Sequence, residues 1–413
     1  MFICFLQFGH AQIEDKYTNI GERQTIQSQA LGEERFYQIY LPPSYHINNK
    51  ATFPVLYIVD GDYNFHYDSG LVEFLSRTAY KIPEMIVVGI SDQGSTKYRA
   101  NCSPNTEKGN GNAINYIKFI NNELKFHIKN TYRASEYDII VGHSIGGLFT
   151  TNYWLEEPSD FDAYIAIDPS LWWNDYALIK KADSILKGFD KNGSQLFISL
   201  ANTKGMGVQQ FVGVLDRYFP NQDRWNYKHY THENHGSLHM MAISDALTTI
   251  FKNWNISREK FYAFETAKDI LEHYKSFNTK FDTEFLLPAY TLENIMYFYF
   301  KKGQFEDLKI LEDGIKTNFP SSLEEFYLLL AKQYLDNKEL EKAETRFKQC
   351  LRINPNAFDA YDGLAKIYVQ NKDRKQALKM SEKALQLAAK QNVRQYLINE
   401  LQSHYNSILK SKH

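Results

Sequence analysis

The sequence predicts an α/β domain, a mostly parallel sheet with helices on both faces, followed by an all-helical domain. Three observations predict it. Strand and helix patterns alternate from about residue 20 to 255. The pentapeptide Gly142-His143-Ser144-Ile145-Gly146 stands between a strand pattern and a helix pattern. After about residue 256 the strand signal ends, and a repeat with a period of about 34 residues takes over. At 413 residues the chain is long enough for two domains, each with its own core.

Taken in order, residues 1–12 carry an apolar stretch followed by small and polar residues. They read as the end of a truncated export signal, which favours a periplasmic or secreted protein, or else as an N-terminal arm. Arg35 to Leu41 alternates like an edge or antiparallel strand and stops at Pro42-Pro43. Pro54 to Gly61 and Met85 to Ile90 are continuous apolar runs, the pattern of buried parallel strands. Tyr137 to Val141 is the β-branched strand that feeds the pentapeptide, and Gly147 to Trp154 continues it as a helix. Further strands are expected at Ala163 to Asp168, Gln195 to Leu200 and Trp225 to Tyr230. Helices are expected at Asn112 to Lys129, Asp175 to Lys187 and Leu238 to Trp254. Residues 256–288 form a connecting helical segment, and 289–413 the repeat domain. There, Tyr327, Leu330, Ala331, Tyr334, Ala343, Phe347 and Cys350 are followed at the repeat interval by Tyr361, Leu364, Ala365, Tyr368, Ala377, Ser381 and Ala384. Large residues on one helix thus face small ones on the next. A degenerate unit is expected over 294–320 and a capping helix over 392–409.

Composition excludes several function classes. The 47 basic and 49 acidic residues leave a net charge of -2, which does not suit nucleic acid or an anionic membrane surface. No segment approaches the ~20 apolar residues a membrane span needs. Cys4, Cys102 and Cys350 have neither metal-ligand spacing nor a disulfide pattern. Aromatic residues make up 15% of the chain, enough for both cores and an aromatic cleft.

A serine in a G-x-S-x-G turn between strand and helix is held with its hydroxyl exposed, beside free N–H groups at the helix start. Ser144 is therefore the candidate nucleophile. The backbone N–H of Ile145 is one oxyanion donor, and that of Gly61 or Asp62, in the loop after Val59, is the other. In the α/β-hydrolase order of serine, acid, histidine, the base follows the last strand. His235 in Glu233-Asn234-His235-Gly236-Ser237 stands there, with His229, His232 and His239 as competitors. His232, His235 and His239 also approximate a zinc spacing. Gly236 and the change from strand to helix break a shared ligand face, and no carboxylate or cysteine motif completes the set, so no metal is expected. A serine nucleophile working through an acyl-enzyme requires no organic cofactor either. The acid is harder to assign. The loop after Leu200, Ala201-Asn202-Thr203-Lys204-Gly205, has no carboxylate. Asp168, at the end of the preceding strand, is the best replacement, with Asp216 and Glu233 as further candidates. A Ser-His dyad with Asn202 as neutral orienter is the alternative. Trp172 and Trp173 are candidate cleft walls.

Together, Tyr40-Leu41-Pro42-Pro43-Ser44-Tyr45, Pro54 to Gly61, Gly142 to Leu148, Pro169-Ser170-Leu171-Trp172-Trp173 and Glu233 to Ser237 resemble an esterase family of α/β-hydrolases. That family includes enterochelin-type siderophore esterases, feruloyl esterases, S-formylglutathione hydrolase and mycolyltransferases. Arg99 to Pro104 is similar to a substrate-side loop of the siderophore-esterase branch. The resemblance implies a serine esterase acting through an acyl-enzyme, with Ser144 as nucleophile and His235 as base. Arg99, His143, Trp172 and Trp173 would contact a siderophore-like or phenolic ester. The chain departs from the family at the acid. The repeats resemble tetratricopeptide units, whose concave groove would take a peptide or protein partner. Two other readings are an acyltransferase to a sugar or lipid hydroxyl, and a catalytically weak scaffold using its repeats.

Overall fold

The structure, a computed structural model, describes residues 19–106, 111–190, 193–222, 224–264, 266–391 and 393–411. The expected export segment and Cys4 lie outside the described residues. An eight-stranded sheet runs β1 (Glu22–Ser28), β2 (Glu33–Tyr40), β3 (Phe53–Ile58), β4 (Ile86–Ile90), β5 (Ala134–His143), β6 (Ala163–Ile167), β7 (Gln195–Leu200) and β8 (Trp225–His229). Its spatial order is β1-β2-β4-β3-β5-β6-β7-β8. The β1–β2 and β2–β4 pairs are antiparallel, and the other five pairs are parallel.

β3 is buried at every position and lies at the sheet centre, as its unbroken apolar run predicts. Val55 and Tyr57 face one core, with Phe149, Tyr153 and Trp154 of the Ile145–Glu156 helix. Leu56 and Ile58 face the other, with Leu238, Ile243 and Leu247 of the Leu238–Ile250 helix. β1 has no counterpart in the sequence reading. It is a largely exposed edge strand, ERQTIQS, with little apolar signal to find. The expected helix over 112–129 is one run whose middle, Phe119–Lys125, widens into π-helical turns. The expected helix at 175–187 begins at Trp173, and Asn174, Asp175 and Tyr176 are all left-handed.

The connecting segment is part of the core. Tyr137 of β5 packs edge-on against Phe281 at 4.8 Å, and Phe251 stacks on Phe281 at 5.1 Å. Trp254 meets Tyr274, Phe277 and Phe285 at 5.2–5.5 Å. This apolar cluster continues without a break into the repeats as far as Ile367.

The repeats are paired helices: Ala289–Lys302 with Phe305–Asn318, Leu323–Asp336 with Leu340–Ile353, and Phe358–Gln370 with Arg374–Lys390, capped by Gln395–Lys410. Ala331, Ala343, Phe347, Cys350, Ala365, Ala377, Ser381 and Ala384 are fully buried, so the small residues do face the large ones. Phe347 lies so close to Gly363 that a Cβ there would come within 2.1 Å of its ring. Turns between the pairs touch the base of the sheet domain. Asn48 Nδ2 donates to Ser321 O at 2.6 Å, and Asn354 Nδ2 donates to Ile47 O at 2.7 Å. Tyr80 stacks on Tyr290 at 4.5 Å, and Arg394 pairs with Glu73. Cys102 and Cys350 are buried free thiols. No helix among the described residues is long and apolar enough to cross a membrane.

Candidate active site

The site lies at the C-terminal ends of the parallel strands, where an open α/β sheet delivers its functional loops. Ser144 follows β5 directly and is held at φ 58°, ψ −111°, a strained conformation for a residue with a side chain. Three backbone hydrogen bonds hold it there. Ser144 N donates to Ile167 O (2.9 Å), and Ser144 O accepts from Leu148 N (3.0 Å) and Ser170 N (2.9 Å). The flanking glycines are sterically required. A Cβ on Gly142 would lie 2.3 Å from Gly146 O, and one on Gly146 would lie 2.6 Å from Asp60 Oδ1.

His235, in the turn after β8, places Nδ1 2.6 Å from Oδ2 of Asp168. Asp168 follows β6, has a positive φ of 40° and is fully buried. Its Oδ1 accepts from Ala201 N (3.1 Å) and Thr203 Oγ1 (3.0 Å). Burial alone would raise its pKa. The donors His235, Ala201 and Thr203 outweigh burial and hold the carboxyl below the ordinary range. The loop after β7, which has no carboxylate of its own, thus supplies donors to the one from the strand beside it. Asn202 spends its N–H on Glu233 O (2.8 Å), and Glu233 accepts from Ser237 Oγ (2.6 Å). Neither Asn202, Glu233 nor Asp216 has a hydrogen bond to His235. Among the described residues no hydrogen bond joins Ser144 to His235. The serine hydroxyl lies 3.3 Å from Ser170 Oγ, and such catalytic hydrogen bonds commonly close only around substrate.

The oxyanion candidates sit at two helix starts. Ile145 opens the Ile145–Glu156 helix, and Gly61 and Asp62 open the Gly61–Glu73 helix. First-turn N–H groups have no acceptor within their own helix. The Asp62 carboxylate faces away to Ser91 Oγ (2.7 Å) and Asp92 N (2.9 Å), which ties this turn to the end of β4. Asp60, buried between the two helix starts, accepts from His143 N at 2.7 Å. Burial pushes its carboxyl up to about 8.

The other predicted contacts divide. Trp172 is 50% exposed beside the site, and Trp173 is half-buried. Arg99 is exposed on the Ser95–Cys102 helix. Its neighbour Tyr98 reaches the elbow, since its hydroxyl would lie 2.8 Å from a Cβ on Gly146. His143 packs against the rings of His235 (4.5 Å) and His239 (5.7 Å). His239 also bonds through Nε2 to the buried Asp68 (3.0 Å). Among the described residues no group of three or more His, Cys, Asp or Glu side chains could hold a metal ion. The sequence reading missed Asp60, Asp68, Ser170 and Thr203. Nothing local marks them, because each acts on a partner far away in the chain.

Comparison with known proteins agrees with this architecture. The family described as "Putative esterase" matches residues 28–235, and tetratricopeptide repeats match 324–357 and 358–391. The chain is 28% identical over 189 residues to the ferri-bacillibactin esterase BesA of Bacillus subtilis, covering 41% of this chain and 65% of BesA. It is 26% identical over 174 residues to the siderophore triacetylfusarinine C esterase of Aspergillus fumigatus, covering 38% of this chain and 58% of that protein. The chain therefore spans somewhat less than two thirds of these two relatives. Among solved structures, an IroE-like serine hydrolase from Shewanella oneidensis has the same fold, with a TM-score of 0.59 and 23% identity over 72% of this chain and 99% of that one. An uncharacterised protein from Capnocytophaga ochracea matches 95% of this chain and 100% of its own, with a TM-score of 0.54 and 14% identity. The chain belongs to the esterase family of α/β-hydrolases, with tetratricopeptide repeats in its C-terminal part.

Proposed function

We propose that this chain is a carboxylic ester hydrolase with Ser144 as nucleophile, His235 as general base and Asp168 as the acid that orients it. The observation that carries the reading is the 2.6 Å contact of His235 Nδ1 with a buried carboxylate, beside a serine strained into an elbow. The Nδ1–H bond to Asp168 fixes the tautomer and leaves Nε2 free to take a proton. Ser144 Oγ attacks the ester carbonyl as its proton passes to His235 Nε2. The oxyanion accepts from Ile145 N–H and from Gly61 or Asp62 N–H. As the tetrahedral intermediate collapses, His235 returns the proton to the leaving alkoxide. Water then repeats the sequence on the acyl-enzyme and releases the acid.

The substrate class we infer is a siderophore-like or phenolic ester. It is supported by the relatives' names and by the exposed side chains of Trp172, two residues after Ser170, and of Arg99, next in sequence to the Tyr98 that reaches the elbow. Trp172 offers a flat apolar face, and Arg99 offers a cation to an acidic acyl or chelate group. We place the protein outside the cytoplasm on the character of its first residues. We assign the repeats to a protein or peptide partner in addition to their structural role.

The test is hydrolysis of p-nitrophenyl acetate and butyrate by the wild type beside Ser144→Ala, His235→Ala and Asp168→Asn. The first two are expected to lose at least a thousandfold in kcat, and Asp168→Asn at least a hundredfold. Full activity in Asp168→Asn would reduce the triad to a dyad. Full activity in Ser144→Ala would overturn the reading.

A further inference from the structure

Resting on that reading, the structure assigns a role to a row of side chains that the triad does not use. We propose that His143 is a positioning residue for His235, its ring in contact with those of His235 and His239, the latter held by the buried Asp68. His143 is the elbow residue immediately before Ser144, so its backbone cannot move without moving the nucleophile. Its own N–H is held by Asp60 Oδ2 at 2.7 Å. Its ring centroid lies 4.5 Å from that of His235 with the planes tilted by 37°, a close ring-to-ring contact. His239 also meets it, in a T-shaped contact at 5.7 Å. His239 in turn places Nε2 3.0 and 3.2 Å from the two oxygens of Asp68, a carboxylate with no exposure to solvent.

The arrangement is costly as plain packing. Among the described residues, His143 Nε2 and His239 Nδ1 are both buried without a hydrogen-bond partner, and a buried polar atom left so destabilises the fold. A leucine or phenylalanine would fill the space without that penalty. The imidazoles do something hydrocarbon does not. Burial, helped by the nearby His235 and His239, pushes His143 down to about 4, although Asp168 and the His235 backbone act in the opposite direction. His143 is therefore a neutral ring at working pH. Burial works against charge on His239, but Asp68 outweighs it and holds that ring above its ordinary range. The result is a neutral aromatic face presented to the ring that turns cationic when Ser144 gives up its proton. Such a face attracts a cation, and its fixed plane keeps His235 Nε2 aimed at the elbow.

The charged groups around His143 are His235, His239 and Asp168, with Asp60 on its backbone and Asp68 behind His239. Loss of the face should disfavour the His235 imidazolium. The acidic limb of kcat/KM is then expected about half a pH unit lower in His143→Ala. That variant should also lose about tenfold or more in kcat with KM little changed. His143→Phe restores a ring face without a titratable nitrogen. It should recover most of the activity and return the limb to its wild-type position.

The same shift should be read without turnover by NMR titration of the His235 ring in Ser144→Ala, with and without His143→Ala. A folded His143→Ala with wild-type kcat and an unmoved His235 titration would overturn the positioning role. So would a His143→Phe as impaired as His143→Ala. Absence of wild-type hydrolysis alongside a shifted His235 titration would instead count against the esterase reading alone.

Discussion

Asp168 takes its histidine from the loop after β8 and its other donors from the loop after β7, so one buried carboxylate joins two loops behind the serine. In sequence, the loop after β7 lacks an acid. In space, Ala201 N–H and Thr203 Oγ1 support one that arrives from β6. Asp168 was legible as a candidate because a strand-end acid on this face points toward the elbow. Its partner Thr203 was not, since the two lie 35 positions apart and only the parallel pairing of β6 with β7 brings them together. His143 carries a pH signature at the same scale. Its folded-state value of about 4 lies below the ordinary 6.5. A depressed value contributes stability that is present above pH 6.5 and is lost as pH falls toward 4. His143 alone contributes up to about 3 kcal/mol of loss over that window. Urea melts at pH 7 and pH 4.5 should show this loss in the wild type and a smaller one in His143→Phe; equal losses would contradict the assignment.

The elbow is the element that the sequence encodes most locally. Gly142 and Gly146 are needed because Gly146 O and the Asp60 carboxylate occupy the space a Cβ would take. Gly146→Ala should cost about 2 kcal/mol or more, because the obstacle is a buried carboxylate with little room to shift. It should also cut hydrolysis at least tenfold by displacing the Ile145 N–H. At Gly70, in the Gly61–Glu73 helix, an added Cβ would meet nothing within 4 Å. Gly70→Ala should therefore raise stability by about 0.5–1 kcal/mol with activity unchanged. Thermal melts of the two variants separate steric need from backbone freedom. The central strands were legible because burial on both faces leaves unbroken apolar runs. The edge strand β1 and the left-handed turn at Asn174–Tyr176 were not. The first is polar by position, and the second contains no glycine or proline to mark it.

For the whole molecule, the repeat domain is welded to the sheet domain. Its periodicity was plain in the sequence, since the small and large positions recur along one stretch. Its attachment was not, because the contacts of Tyr137 with Phe281, Asn48 with Ser321 and Ile47 with Asn354 join distant segments. The apolar cluster that begins under β2 and β3 continues through Phe251, Trp254 and Phe281 into the repeats. A chain truncated after residue 255 would expose that face. It should be poorly soluble, whereas the full chain should melt in a single calorimetric transition. Two well-separated transitions would show the halves to be independent.

Activation of Ser144 as a nucleophile by His235 can be read from fluorophosphonate labelling followed by peptide mass spectrometry. One adduct is expected, on Ser144, formed rapidly by the wild type and at least a hundredfold more slowly by His235→Ala. An unmodified Ser144 in folded protein, or labelling at the same rate without His235, would contradict it.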